Sequence, residues 1–226
     1  MMRTNEDHEP RPKNRYPQPT RITYSTEGAI ILQKPRPRKI DFFRVLQRRR
    51  SARHFASLTG QQLSDFLGFA IRTIEVRLES TGLMWQHRAS ASAGGIHPID
   101  TFVLNFPFGN ETIYYYDPLG HTLKALSATY SKPLHPLRRH ALSMKEEPEA
   151  VLIWFAAQSH LTAAKYHNAQ SLIWRDSGCL IMTSYMVAAA LGIKCCALGI
   201  TGNRYFSKIG KKNYSVEGVG GLILGV

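Results

Sequence analysis

Between residues 48 and 55 the chain reads RRRSARHF. Five of these eight side chains carry, or can take up, a positive charge. Arg49, Ser51 and Arg53 alternate, so an extended backbone would turn them to one side. Two guanidinium forks and a hydroxyl on one side suit a single phosphate and a polyol chain. Further along stands ASAGGIHP, residues 91–98. Its small residues let backbone come close to a planar ligand, and its N–H groups can bond that ligand's edge.

Other chemistries lack their residues. GVGGLILG near the C-terminus has no helix after its glycines, so it is no dinucleotide fingerprint. There is no phosphate-binding GxxxxGK[ST] and no G-x-S-x-G. No Cys/His pair has zinc spacing, so no metal site is expected. Cys195 and Cys196 are neighbours that a strand would send to opposite faces. Three cysteines make no disulfide framework and fit a reducing compartment. No targeting segment or membrane-length apolar run is evident, so a cytoplasmic location is expected.

The elements that must carry these residues follow from pattern. The chain has 226 residues, 43% of them hydrophobic, ample for a core, and a net charge of +13. The first fifty residues hold thirteen Lys and Arg against five Asp and Glu, so most of the excess is local. A basic arm of that kind raises nucleic acid as a partner, but no stacking platform or recognition helix accompanies it, and none is expected. Prolines at 10, 12, 17, 19, 35 and 37 mark residues 1–39 as an extended, partly disordered arm. Residues 40–226 form the folded domain.

Residues 40–47 predict a short helix ending at the arginines. Thr59-Gly-Gln-Gln62 is a capping box, followed by an apolar stripe at 63, 66, 67, 70 and 74. Residues 84–98 predict a loop. Strands are expected at 101–106, 112–116, 121–126, 151–157, 193–198 and 218–226, with PFGNE as a hairpin loop. Tyr114, Tyr115 and Tyr116 read as cross-strand packing. Asp176 or Ser177 is expected to cap a helix that ends at Gly192, buried all round with Cys179 in the core. The mixed order argues an α+β fold.

Taken together, these stretches resemble the nitroreductase-like flavoprotein family, and more narrowly its SagB-type branch, the thiazoline/oxazoline dehydrogenases. The resemblance runs from about residue 40 to the end and rests on the order and spacing of several modest motifs. They are Arg49-Arg50-Ser51-Ala52-Arg53-His54-Phe55, the loop at 91–98, Lys165-Tyr166, Asp176-Ser177-Gly178, Ala190-Leu191-Gly192 and Leu198-Gly199-Ile200.

It implies a mainly antiparallel central sheet wrapped by helices, in a homodimer with FMN at the interface. Arg49, Arg50, Ser51 and Arg53 would hold the FMN phosphate and ribityl chain. Ser92, Ala93, Gly94 and Gly95 would come from the partner chain against the flavin ring. Leu198, Gly199 and Ile200 would pass near its reactive edge. Lys165 and Tyr166 would be the catalytic pair, a base and a hydrogen-bond donor for hydride transfer between substrate and flavin N5. The substrate would be a small molecule or an azoline ring in a modified peptide.

Departures stand at His167-Asn168, where the branch has glycine and arginine. Cys179 replaces a histidine. A basic residue expected after the last strand is absent, leaving Lys208, Lys211 and Lys212 as nearby substitutes. The alternatives are an NAD(P)H-dependent nitro- or quinone-reductase of the same fold, and a non-catalytic binding protein that kept it.

Overall fold

The computed structural model describes residues 9–15, 19–78, 84–107, 110–143, 148–210 and 214–226. Its centre is β8, Val151–Ala157, with sequence VLIWFAA. The run is apolar without alternation because both of its faces are buried. Val151, Ile153, Phe155 and Ala157 face one hydrophobic cluster, while Leu152, Trp154 and Ala156 face the other.

β8 lies between β5 (Ile99–Leu104) and β11 (Glu217–Gly225), both antiparallel to it. β10 (Lys194–Leu198) closes one edge beside β11. On the other side follow β6 (Tyr114–Asp117), β7 (Thr122–Leu126) and β2 (Thr26–Ile31), all antiparallel. This seven-stranded sheet is the expected α+β core.

Helices cover both faces. One face carries α2 (Gly60–Ala70) and α6 (Gln170–Leu191). The other carries α3 (Ala128–Ser131), α4 (His135–Ser143) and α7 (Asn203–Phe206). α2 begins at the predicted capping box: Thr59 Oγ1 accepts the Gln62 N–H, and Gln62 Oε1 accepts the Thr59 N–H. The helix ends at Ala70, so Ile74 leaves the predicted stripe and is exposed.

Several elements differ from the sequence reading. α6 starts at Gln170, six residues before the predicted cap, and Asp176 lies within it. Its C-terminal stop is as predicted, with Gly192 in the left-handed region at φ 70. α6 is not buried all round, because Trp174, Gly178, Cys179 and Met182 stand exposed along one stripe. Cys179 is therefore a surface residue, not core packing.

Residues 84–87, expected as loop, form strand β4 (Met84–His87), which pairs with β3 (Glu75–Leu78) in a separate hairpin. Residues 26–31, read as part of the arm, are the sheet's far edge strand. Arg11–Pro12 (β1) pairs with Tyr166–His167 (β9) after α5 (Ser159–Lys165). The expected hairpin loop falls partly on 108–109, which lie outside the described residues. Among the described residues no helix is long and apolar enough to cross a membrane.

Candidate functional site

The arginine run follows α1 (Phe42–Arg48), capped by Asp41, whose carboxylate accepts the Arg44 N–H. The chain then runs extended along the β10 edge. Ala52 N–H donates to Cys195 O at 3.0 Å, and Ala56 exchanges two hydrogen bonds with Val226. Phe55 is buried and anchors the segment in the core.

This path opens a cleft of about 500 Å³ lined by Arg48, Arg50, Arg53, His54, Lys194 and Tyr185, with no carboxylate side chain among the described residues that line it. Alternation holds, but it divides the residues differently from the simple expectation. Arg50, Ala52 and His54 line the cleft with Arg48 and Arg53. Arg49 stacks over Tyr185, 5.5 Å from the ring centroid. Ser51 Oγ pairs with the Tyr185 hydroxyl at 2.9 Å, and that hydroxyl accepts the Ala197 N–H at 2.7 Å. Tyr185 thus holds Arg49 and Ser51 against β10.

Arg48 and His54, read from sequence as a solvated face, belong to the cleft wall. Lys194 was not foreseen; its signal was its place at the exposed start of a buried strand. Of the lysines considered as substitutes, Lys208 is exposed on the 3-10 turn at Ser207–Ile209, and Lys211 and Lys212 lie outside the described residues. Cys195 also lines the cleft, but burial pushes its thiol far up, so it stays protonated at neutral pH.

The second cluster forms around the glycine loop. Ala93–Gly95 makes a 3-10 turn, and both glycines have positive φ, 61 and 64. Ordinary residues rarely adopt that conformation, and here there is no room for one. A Cβ on Gly94 would stand 2.8 Å from the Tyr166 hydroxyl and 3.0 Å from Lys165 Nζ. A Cβ on Gly95 would run into the Trp85 ring. The predicted catalytic pair and the predicted glycine loop are therefore in direct contact.

Asp176, in the second turn of α6, fixes the loop's entry. Its carboxylate accepts the Ser92 hydroxyl at 2.6 Å and the Ala93 N–H at 3.0 Å. Burial raises its carboxyl above the ordinary range, while those two bonds pull it back. His97 closes the loop, donating from Nε2 to Gln86 O at 3.1 Å. Burial and the nearby Arg88 push its imidazole down to about 3, so it is neutral and structural. Arg88 is itself buried, and burial lowers its guanidinium to about 10.

Leu198 is buried, Ile200 half-buried and Gly199 exposed, with nothing within 4 Å of a Cβ there. Gly178 is open in the same way.

Within one chain the two clusters sit at opposite ends of α6. Asp176 serves the glycine loop, and Gly192 borders the arginine cleft. Sixteen residues at 1.5 Å each separate them by about 24 Å. Among the described residues no group of three His, Cys, Asp or Glu side chains could hold a metal ion.

An antiparallel sheet between two helical layers is the architecture of nitroreductase-like α+β proteins, and solved structures share this fold. One described as a nitroreductase from Ralstonia eutropha is 19% identical, covers 93% of this chain and 97% of its own, with a TM-score of 0.62. One of the same description from Anabaena variabilis is 18% identical and covers 93% of this chain and 42% of its own, at 0.64. The E. coli microcin synthetase McbBCD complex with truncated pro-MccB17 bound is 18% identical over 79% of this chain and 69% of that one, at 0.59. Curated protein sequences returned no match. The nitroreductase family model matches residues 46–218, and the chain belongs to that family.

Proposed function

We infer that this protein is an FMN-dependent oxidoreductase that works as a homodimer and has the chemistry of the thiazoline/oxazoline dehydrogenases. The observation that carries the reading is the convergence of Lys165 Nζ and the Tyr166 hydroxyl on Gly94. A base and a hydroxyl donor held side by side against a glycine loop suit proton removal from a ring lying beside them.

The residues present fit FMN. The arginine cleft offers fixed cations and, among its described lining residues, no carboxylate, which suits a phosphate ester. Gly178 and Gly199 leave open backbone that a flat ring can approach closely, while the Gly94 and Gly95 backbone is packed against Lys165, Tyr166 and Trp85.

Oxidising an azoline ring removes one hydride and one proton. FMN, when bound, supplies the hydride acceptor at N5. Lys165 takes the proton, and Tyr166 donates a hydrogen bond that steadies the charge developing on the ring. Arg50 and Arg53 hold the phosphate. Arg49 and Ser51, braced on Tyr185, orient the ribityl chain. Asp176 keeps the loop in place through Ser92 and Ala93.

A dimer answers the separation of the two clusters. The loop and Lys-Tyr pair of one chain would serve the arginine cleft of the other. The exposed apolar surface supports this. Phe42 and Phe43 on α1 are 61% and 69% exposed, and Trp174 and Met182 on the neighbouring α6 are each 46% exposed. Large apolar side chains left exposed on neighbouring helices suit an interface.

Lys165→Met and Tyr166→Phe, each tested for ring oxidation and bound flavin, check the reading. Both variants should keep flavin and lose oxidation by at least a hundredfold, within the usual contribution of acid–base residues of roughly 10²–10⁴. Full activity in both would refute the assignment.

A further inference from the structure

The N-terminal stretch touches the Lys-Tyr cluster at two separate points. At the first, residues 9–13 lie along residues 163–168. Lys13 N–H donates to Lys165 O at 2.9 Å, and Lys13 Nζ donates to Ala163 O at 2.6 Å. Arg11 pairs with His167, and Asn168 Nδ2 donates to Glu9 O at 3.3 Å. The Glu9 carboxylate stands 3.8 Å from Arg175 on α6.

The accepting carbonyls lie in the last turn of α5, where a helix has no internal donors to offer. The Lys13 ammonium also meets the negative end of that helix. Lys13 and its neighbours therefore cap the helix that ends in Lys165 and leads into Tyr166. Pro12 falls where its missing N–H faces outward, so the outer edge of the strap offers no donor there.

At the second point the same stretch grips the exit of the glycine loop. Arg21 donates to His97 O at 2.7 Å and to Asp100 at 2.9 Å. Tyr24 and Gln158 donate to the other Asp100 oxygen at 2.8 and 2.6 Å. Gln158 also exchanges hydrogen bonds with both backbone groups of Ile22. Gln158 immediately precedes α5, and His160 on α5 bonds Thr20 O at 3.0 Å. One stretch of chain thus holds both ends of α5 and the end of the loop.

We propose that residues 9–13 and 21–24 form a two-point clamp that sets Lys165 and Tyr166 over the glycine loop, with Lys13 and Arg21 as its positioning residues. Only the kinetic readout below rests on the proposed function; the structural readout does not.

The test is hydrogen exchange by mass spectrometry on the full chain, comparing wild type, Lys13→Ala, Lys13→Arg, Arg21→Ala and Arg21→Lys. Lys13→Ala should raise exchange roughly tenfold at residues 163–168, and Arg21→Ala likewise at 92–100, with β8 and β11 unchanged. Lys13→Arg should restore protection. Arg21→Lys keeps the charge beside Asp100, so it reads the loop contact should Arg21→Ala not fold. Where turnover is measured, kcat should fall about tenfold while flavin content and KM hold. Unchanged exchange at both segments overturns the clamp. So does loosening spread over β8 and β11, or failure of Lys13→Arg to restore protection. A colourless protein would still give the exchange result, so loss of the flavin reading and loss of the clamp are told apart.

Discussion

Gly94→Ala tests the geometry at the centre of the site. The φ of 61 places residue 94 where an L side chain costs roughly 1–2 kcal/mol. For a 226-residue chain that is a drop in Tm of a few degrees, about 2–8 °C. The larger effect is local. The new methyl would stand 2.8 Å from the Tyr166 hydroxyl and 3.0 Å from Lys165 Nζ. Carbon contacts are comfortable near 3.5 Å, so both head groups must retreat by about half an ångström. Misplacing a catalytic group by 1 Å costs on the order of a hundredfold, so kcat should fall roughly ten- to a hundredfold. Flavin content should change less than kcat, because the new methyl meets Lys165 and Tyr166 of its own chain while the arginine cleft that would hold the phosphate is untouched. The assay is kcat, bound flavin per chain and a thermal melt, against Gly60→Ala, where nothing lies within 4 Å of the new methyl. Wild-type kcat in Gly94→Ala, with the melt lowered as expected, would refute the placement of Lys165 and Tyr166 over the loop.

Two further outcomes follow from the same structure. His97 titrates near 3 when folded and near 6.5 when free, so the unfolded chain binds a proton in that window and the folded chain does not. Stability should therefore fall as pH drops from 6.5 towards 3, by at most about 1.4 kcal/mol per unit from this group. The raised carboxyl of Asp176 works in the opposite direction. Urea midpoints at pH 7 and pH 5 should differ less in His97→Gln than in wild type, and an equal loss in both would refute the assignment. Phe43→Asp or Met182→Lys should convert a dimer to monomers in light scattering and lower flavin affinity at least tenfold. A monomeric wild type that binds flavin fully would contradict the shared site.

The sheet was largely legible because its strands are short and strongly apolar. VLIWFAA is a continuous apolar run of strand length, read as a central strand, and the structure starts and ends it at the same residues. The α2 cap was legible because Thr59 and Gln62 form a local, reciprocal motif. The start of α6 was not, since Asp176 has the side chain of a cap and spends it on a loop 84 residues away in sequence. Strand β2 was hidden by the prolines around it, and Arg21 by a basic arm whose charges all looked alike. The glycine loop and the arginine run could be singled out from residue types. That Lys194 and Arg48 share the cleft, and that Tyr185 holds Arg49 and Ser51 against β10, depends on packing that no local pattern records.

The most direct test of the account is the visible spectrum of the purified chain before and after denaturation. The account predicts a flavin spectrum and about one FMN released per chain, both lost in the folded Arg50→Ala, Arg53→Ala double variant. A protein that is colourless as purified and stays colourless after incubation with FMN would contradict it.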